Sequence, residues 1–382
     1  MPTRPLRVGL DATPLLGTRT GVGRYVEHLV RALVGTDGLE LVATAFTLRG
    51  AGGLPAEVPD GVEVRHRPAP ARLLQAAWGR LDLPPVEWLT GRLDVFHGTN
   101  FTLPPVRSAA GVLTVHDLSY LRFPETVAAA SLRYRTLVPR GLRRAAVVCT
   151  PSQAVADEVQ AEYGLSRDRV TVTPLGVDEA WFATSPPAPQ WLAGRGLPAR
   201  YLLFVGTVEP RKGLDGLLRA LKLLHDDDPS TPPLVVAGPP GWGPALRTAA
   251  LPAGAIRAAG YLESADLRRV VAGAAVLAFP SVYEGFGLPP LEAFATGTPV
   301  VASDLPVIRE VTGDPAGRRP VGNLATLVPV GDDEALAAAL RAVLADDGGA
   351  AAREGRRRLA RRFSWAATAA ATDLAYRSAY GR

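Results

Sequence analysis

"AVLAFPSVYEGFGLPPLEAFATGTPVVAS", residues 275–303, decides how the rest of the chain is read. Its first five residues are an apolar run that stops at Pro280 and Ser281, as a buried strand does. A glycine-rich loop follows. Pro289 and Pro290 then suit the first turn of a helix, where a missing N–H costs nothing. "PVVAS", 299–303, is apolar again and β-branched. Strand, loop, helix and strand in so few residues predict a parallel α/β arrangement. Within it stand two glutamates, Glu284 and Glu292, one in the loop and one in the opening turns of the helix.

The same alternation extends in both directions. Towards the N-terminus the strand candidates are "LRVGLD", "LELVATAF", "VEVRH", "LDVFHG", "GVLTVHD", "AAVVCTPS" and "RVTVTP". Helical patterns lie between several of them, as in "GRYVEHLVRALVG", where Tyr25, Leu29 and Leu33 recur every fourth residue. The Pro/Gly/Ala-rich stretch 183–200 reads as a linker. A second series begins after it: "YLLFVGT", "PLVVAGPP", "AIRAAGY", "AVLAFPS", "PVVAS" and "ATLVPV". The reading is two Rossmann-like, doubly wound domains, 1–182 and 201–363. A closing helix, 364–382, is opened by Ser364 as N-cap and expected to pack back on the first domain. Sheets of this kind bind ligands at the carboxyl ends of their strands, so two facing sheets would hold one in the cleft between them.

A chain of 382 residues exceeds one ordinary core, which agrees with two domains. No apolar run approaches the length of a membrane span, and Asp11 interrupts the only N-terminal stretch that could resemble a signal sequence. Cys149 is the single cysteine, so an internal disulfide is excluded and a cytoplasmic setting is expected. The net charge of +5 favours anionic partners. The basic residues are scattered without an interleaved aromatic stripe, which argues against nucleic acid. Arg133, Arg135, Arg140, Arg143 and Arg144 form one basic stretch, either a solvated helix face or a contact for an anionic membrane at the inner face of the cell membrane.

In the loop, Gly285 and Gly287 let backbone approach a ligand closely. The amides around Phe286 to Leu288 open a helix, which is where anions bind. Glu292 would face the same place and accept from sugar hydroxyls. The bland alternative makes Glu292 a dipole-compensating residue and Glu284 a solvated loop charge. "YLLFVGTVEPRKGLDGLLRAL", 201–221, weighs against it. There a strand ends at Gly206, and Arg211 and Lys212 precede a helix. Two cations at a strand's carboxyl end suit a diphosphate, the arginine by its fork and the lysine as a point charge.

"GTVEPRKG" together with "FPSVYEGFGLPPLEAFATGTPVVAS" resembles family 4 of the retaining glycosyltransferases, whose fold is GT-B. The likeness runs through "TGVGRY", "HDLSYLRFPE", "TPLGVD" and the final aromatic helix. The resemblance implies that Arg211 and Lys212 bind the donor diphosphate, Glu284 the sugar hydroxyls, and Glu292 the ribose. It also implies that amides of Gly21 and Gly23 reach the phosphates and that His116 contacts the transferred sugar. Read without it, His116 is better explained as a structural histidine and "TGVGRY" about as well by a simple turn; His97 is a lesser candidate. Tyr261 lies along the base or packs plainly. Thr207 stands where some relatives carry a further arginine.

These expectations amount to a metal-independent enzyme with no cofactor beyond its nucleotide-sugar substrate. It would move a hexose to a glycan or lipid-linked acceptor with retained configuration, mannose from GDP-mannose first and a UDP-hexose second. A non-catalytic sugar-nucleotide-binding homologue is the rival. "HDDDP", with Asp226–Asp228, imitates a metal motif but follows a helix, away from the strand ends. A dinucleotide dehydrogenase would need a GxGxxG with a following acid, and the chain has neither.

Overall fold

The computed structural model describes residues 4–17, 21–48, 51–65, 70–242, 250–313 and 324–382. The chain divides into two compact units. One comprises Met1–Arg122, Ala129–Gly176 and Ser364–Arg382; the other comprises Phe123–Ala128 and Val177–Phe363.

The first unit is built on strands β1 (Leu6–Asp11), β2 (Leu39–Thr44), β3 (Glu63–Val64), β4 (Val95–Gly98), β5 (Ala110–Thr114), β6 (Ala145–Thr150) and β7 (Val170–Val172). They are all parallel, in the order β3-β2-β1-β4-β5-β6-β7. The central strands are near-continuous apolar runs because helices cover both faces. Val8, Leu10, Val95, Phe96, Val112, Leu113, Val147 and Val148 are fully buried, each contributing about 1.5–3 kcal/mol of burial.

In the second unit β8 (Leu202–Val205), β9 (Leu234–Ala237), β10 (Ile256–Gly260), β11 (Val276–Phe279), β12 (Val300–Ser303) and β13 (Ala325–Val328) are likewise parallel, in the order β10-β9-β8-β11-β12-β13. Every strand expected from the sequence is present. The helix Leu214–Asp227 follows β8 and places Leu214, Leu217, Leu218, Leu221 and Leu224 on one buried face. That spacing is the core stripe of an amphipathic helix. It packs beside the helix Asp333–Ala345, which Asp332 caps by accepting from the Ala335 amide at 2.8 Å.

The stretch 183–200 differs from a bare linker. It contains a short helix, Pro189–Ala193, and the units already part at Gly176. Residues 177–182 belong with the second unit because they are tied to it: the Val177 amide donates to Phe363 O at 3.0 Å, and Arg357 donates to Phe182 O at 2.6 Å. The last helix, Trp365–Tyr380, has Ser364 as N-cap and lies in the first unit. Trp365 stacks on His28, with ring centroids 4.8 Å apart.

Candidate functional site

In the second unit the chain runs outward in one direction from β8 to β10 and in the other from β11 to β13. The loops leaving β8 and β11 therefore start side by side at the point where the strand order reverses, the place where open α/β sheets hold ligands. "EPRK" leaves β8, and "SVYEGFG" leaves β11.

The two loops are joined through backbone. The Val282 amide donates to Arg211 O at 2.9 Å. Gly213 has φ +70°, and a Cβ there would lie 2.1 Å from Pro280 O. Only glycine permits both the left-handed turn and that approach. Glycine is favoured at Gly287 chiefly by its backbone, where φ is +103°; a Cβ there would meet the end of the Ile308 side chain at 2.7 Å.

On this frame four charged side chains converge. Lys212 Nζ donates to Glu284 Oε1 at 2.7 Å, and Arg211 Nη1 to Glu284 Oε2 at 3.2 Å. Arg211 Nη1 also donates to Tyr283 O at 2.8 Å, and Nη2 to Glu209 Oε1 at 2.8 Å. Both carboxylate side chains are only 8% exposed, and both cations are nearly as buried. The Lys212 stem runs along Gly206, and its ammonium lies 5.6 Å from the centroid of Phe279.

The two carboxyls respond in opposite directions. Burial would push Glu284 up, but Lys212 and Arg211 outweigh it and hold Glu284 below its ordinary value. Burial raises Glu209 above its ordinary value despite Arg211 and Lys212, and the charge of Glu284 adds to that rise. Glu209 was not among the residues expected from the sequence. In the sequence it is only a glutamate two residues before an arginine after a strand, which a solvated turn charge resembles equally.

Glu292 is buried, 4% exposed, on the helix Leu288–Thr296 that Gly287 opens. Gly285, Phe286 and Leu288 lie on the same loop and helix start. Tyr261 stands just past β10 and is 45% exposed.

In the first unit the strand order reverses between β1 and β4. His116 follows β5 and is part-exposed. Its Nε2 donates to Thr99 O at 2.9 Å, which leaves Nδ1 as the acceptor of a neutral ring. Burial lowers its pKa, with the Thr99 carbonyl and Asp117 opposing. Tyr25 and Phe101 meet the ring edge-on, with centroids 5.0 and 5.4 Å away. Phe101 has φ +57°, alone among the described non-glycine residues. Such a backbone outlier persists where its surroundings hold it.

His97 is different. It is fully buried, with Tyr376 Oη 2.8 Å from Nδ1 and Thr114 Oγ1 2.7 Å from Nε2. Both ring nitrogens are spent inside the fold, so it is a structural histidine. Gly21 and Gly23 open the helix Gly21–Leu33; Thr20 of "TGVGRY" lies outside the described residues. Asp11, at the end of β1, is pushed up to about 6 by burial although it accepts from the Thr13 amide. In the sequence Asp11 stands out only as an interruption of an apolar run.

Asp226 pairs with Lys222 at 2.5 Å, Asp227 with Arg341, and Asp228 accepts from Ser230. The three aspartates thus point to separate partners, and the described residues hold no group of His, Cys, Asp and Glu able to ligate a metal. Arg144 also departs from expectation. It turns inward to Asp82, Trp78 O and Leu103 O, so it is not part of an exposed basic face.

Two parallel α/β sheets, each with charged or polar side chains at its carboxyl edge, define the GT-B class. Over 98% of each chain the protein matches sucrose-phosphate synthase from Thermosynechococcus elongatus with a TM-score of 0.73 at 19% identity. Over 97% of this chain and 99% of the other it matches Anabaena HepE, solved in complex with UDP, at 0.67 and 18%. Residues 199–346 match the family described as "Glycosyl transferases group 1", and residues 20–176 the "Glycosyl transferase 4-like domain". A D-inositol 3-phosphate glycosyltransferase of Kineococcus radiotolerans is 31% identical over 96% of this chain and 92% of its own. The O-antigen chain mannosyltransferase B of Escherichia coli is 35% identical, over 58% of this chain and 59% of its own length. The chain belongs to the group 1, family 4 glycosyltransferases.

Proposed function

We propose that the protein transfers a hexose, mannose from GDP-mannose first, from a nucleoside-diphosphate sugar to a hydroxyl of a glycan or glycolipid, with retained configuration. The observation that carries this reading is the pair of cations, Lys212 and Arg211, on Glu284 where the loops of β8 and β11 meet. A leaving diphosphate gains charge as the glycosidic bond breaks, and fixed cations in a site shielded from water stabilise that charge without reorganising. Lys212 is the better placed for it. An ammonium has three donors, and its one side-chain hydrogen bond among the described contacts is to Glu284. Glu284 takes the sugar hydroxyls and Glu292 the ribose. Tyr261 lies against the base, while Gly206 and the 285–288 loop give backbone access to the phosphates. Gly21 and Gly23 serve the phosphates, and His116, neutral with Nδ1 as acceptor, serves the sugar. The acceptor's proton passes to the leaving phosphate, and no metal is required. The mannosyltransferase relative supports mannose, and the UDP complex of a structural neighbour supports UDP-hexose as the second donor.

For the acceptor side, the turn Arg80–Leu83 carries Leu81 and Leu83, 60% and 55% exposed, on either side of Asp82, whose carboxylate lies near Arg140, Arg143 and Arg144. Apolar side chains amid arginines suit an anionic membrane surface, where a lipid-linked acceptor resides. No helix among the described residues is long and apolar enough to cross a membrane.

A thermal-shift panel of GDP, UDP, ADP and NAD tests the donor. Ligand at a hundred times its Kd stabilises by about 2.7 kcal/mol. GDP is expected to give the largest shift, then UDP. A UDP maximum replaces mannose, and a response to NAD alone overturns the reading.

A further inference from the structure

We propose that Asp11 is a further substrate-binding residue, its carboxylate accepting a hydrogen bond from a hydroxyl of a hexose bound beside His116. The inference rests on the sugar-transfer reading above and gives a part in it to a carboxyl that reading leaves idle.

Asp11 ends β1, and the strand order of the first unit reverses between β1 and β4. It therefore stands at the edge where open α/β sheets hold ligands. One residue links it to His116: Thr99 Oγ1 donates to Asp11 O at 2.5 Å, and His116 Nε2 donates to Thr99 O at 2.9 Å. Strand β4 lies between β1 and β5. The strands that carry Asp11 and His116 are thus two spacings apart, roughly 10 Å, which is the span of one or two sugar rings.

The fold explains one oxygen of Asp11 but not its charge. Oδ1 accepts from the Thr13 amide at 2.9 Å, an Asx turn that asparagine would close equally well. Among the described residues no cation pairs with the carboxyl, and only Thr13 opposes the burial that raises it to about 6. A carboxylate kept in that condition at a ligand-binding edge, where the neutral amide would serve the turn, marks a group held for a ligand.

A second observation points to the same place. Thr44 on β2 is the registered partner of Asp11, and registered neighbours in a parallel pair carry their side chains on one face. Thr44 is 1% exposed, and its hydroxyl has no hydrogen-bond partner. Oδ2 of Asp11 likewise accepts no hydrogen bond among the described contacts. A donor and an acceptor thus stand open side by side, as suits a group that both gives and takes hydrogen bonds, and a sugar hydroxyl does both. The groups that face Asp11 are Thr13, Thr44 and, on its carbonyl, Thr99; no charged group among the described residues bears on it. A carboxylate disfavours an anion at this edge, which leaves the hydroxyls of a sugar.

Asp11→Asn keeps the Asx turn and removes the charge, while Asp11→Ser keeps a turn-closing oxygen and withdraws the group from the edge. Titration calorimetry with GDP and GDP-mannose, and with UDP and UDP-glucose, gives the share of affinity due to a donor hexose. Methyl α-D-mannopyranoside and methyl α-D-glucopyranoside, titrated into the GDP-loaded protein, stand in for an acceptor hexose. A hydrogen bond to a charged group is worth roughly tenfold to a hundredfold, so both variants are expected to lose at least about fivefold in one arm. A loss in nucleotide-sugar binding with GDP and UDP unchanged assigns Asp11 to the donor hexose, and a loss in glycoside binding assigns it to the acceptor. The Asn variant is also expected to melt no lower than wild type at about pH 7.5. The destabilisation by the buried charge, present above about pH 6 and fading as pH falls towards 3.8, is gone from it. A smaller loss in both arms, GDP affinity falling in step with GDP-mannose, or an Asn variant that melts below wild type overturns the proposal and leaves Asp11 a turn residue. Wild-type protein that binds none of these nucleotides removes the sugar-transfer reading, and the Asp11 proposal with it.

Discussion

Acidification should loosen the first unit through His97, and the size of the effect follows from where that ring sits. Burial and, to a lesser degree, the charge of His116 push His97 from 6.5 to about 3. A lowered histidine value means that the unfolded chain takes up a proton that the folded chain refuses. Stability is therefore intact above about pH 6.5 and is lost progressively as pH falls from there towards 3. At pH 5 the unfolded state is favoured by one and a half of those pH units, or about 2 kcal/mol at 1.36 kcal/mol per unit. Asp11 works the other way: its carboxyl is raised to about 6, so protonation favours the folded state as pH falls through that value. The test must isolate His97, and comparison with His97→Gln does so, because Asp11 titrates alike in both proteins. Glutamine at 97 should cost stability at pH 7, since the bridge between Tyr376 and Thr114 is disturbed. Between pH 7 and 5, however, the variant should lose about 2 kcal/mol less than wild type. In scanning calorimetry at both pH values that is about 4–8 °C less downward movement of the transition. Parallel pH dependence in the two proteins would refute the claim that His97 is held neutral inside the fold.

Lys212→Ala is expected to lower donor turnover by about 2–4 kcal/mol in transition-state terms, as loss of one fixed donor does; steady-state nucleotide release checks it, and unchanged turnover removes Lys212 from the site. Glu284→Gln should lower kcat, whereas Glu292→Gln should chiefly raise the donor KM, if the roles proposed above hold, Glu284 meeting the reacting ring and Glu292 the ribose. Effects confined equally to KM would contradict that division. Activity should persist in excess EDTA, since the proposal gives the charge neutralisation to Lys212 and Arg211, and Asp226–Asp228 are engaged elsewhere. Abolition by chelation with rescue by magnesium or manganese would show otherwise.

Much of this protein was legible from residue order alone, for a local reason. A buried parallel strand must be a short apolar run, and a helix covering it must repeat its apolar residues every three to four positions. Both patterns are contained in single segments, so "AVLAFPS", "PVVAS" and "LDGLLRALKLL" announced their own structures. The unusual loop residues were equally visible: Gly206 and Gly287 stand where backbone must turn or approach closely, and Arg211, Lys212, Glu284 and Glu292 are conspicuous charges beside them.

Adjacency was not local, and only the tertiary structure decided it. Arg211 meets Glu284 across 73 positions because β8 and β11 are neighbours in the sheet although β9 and β10 intervene in the chain. The same holds for His97 and Tyr376, 279 positions apart. A histidine at a strand end reads alike whether its nitrogens face solvent or are both consumed inside, and the last helix is what consumes one of them here. Glu209 was hidden for a related reason. Two positions before its own arginine it looks in sequence like a solvated turn charge, and its meaning comes from burial beside Glu284, which desolvates one carboxyl while two cations hold the other ionised.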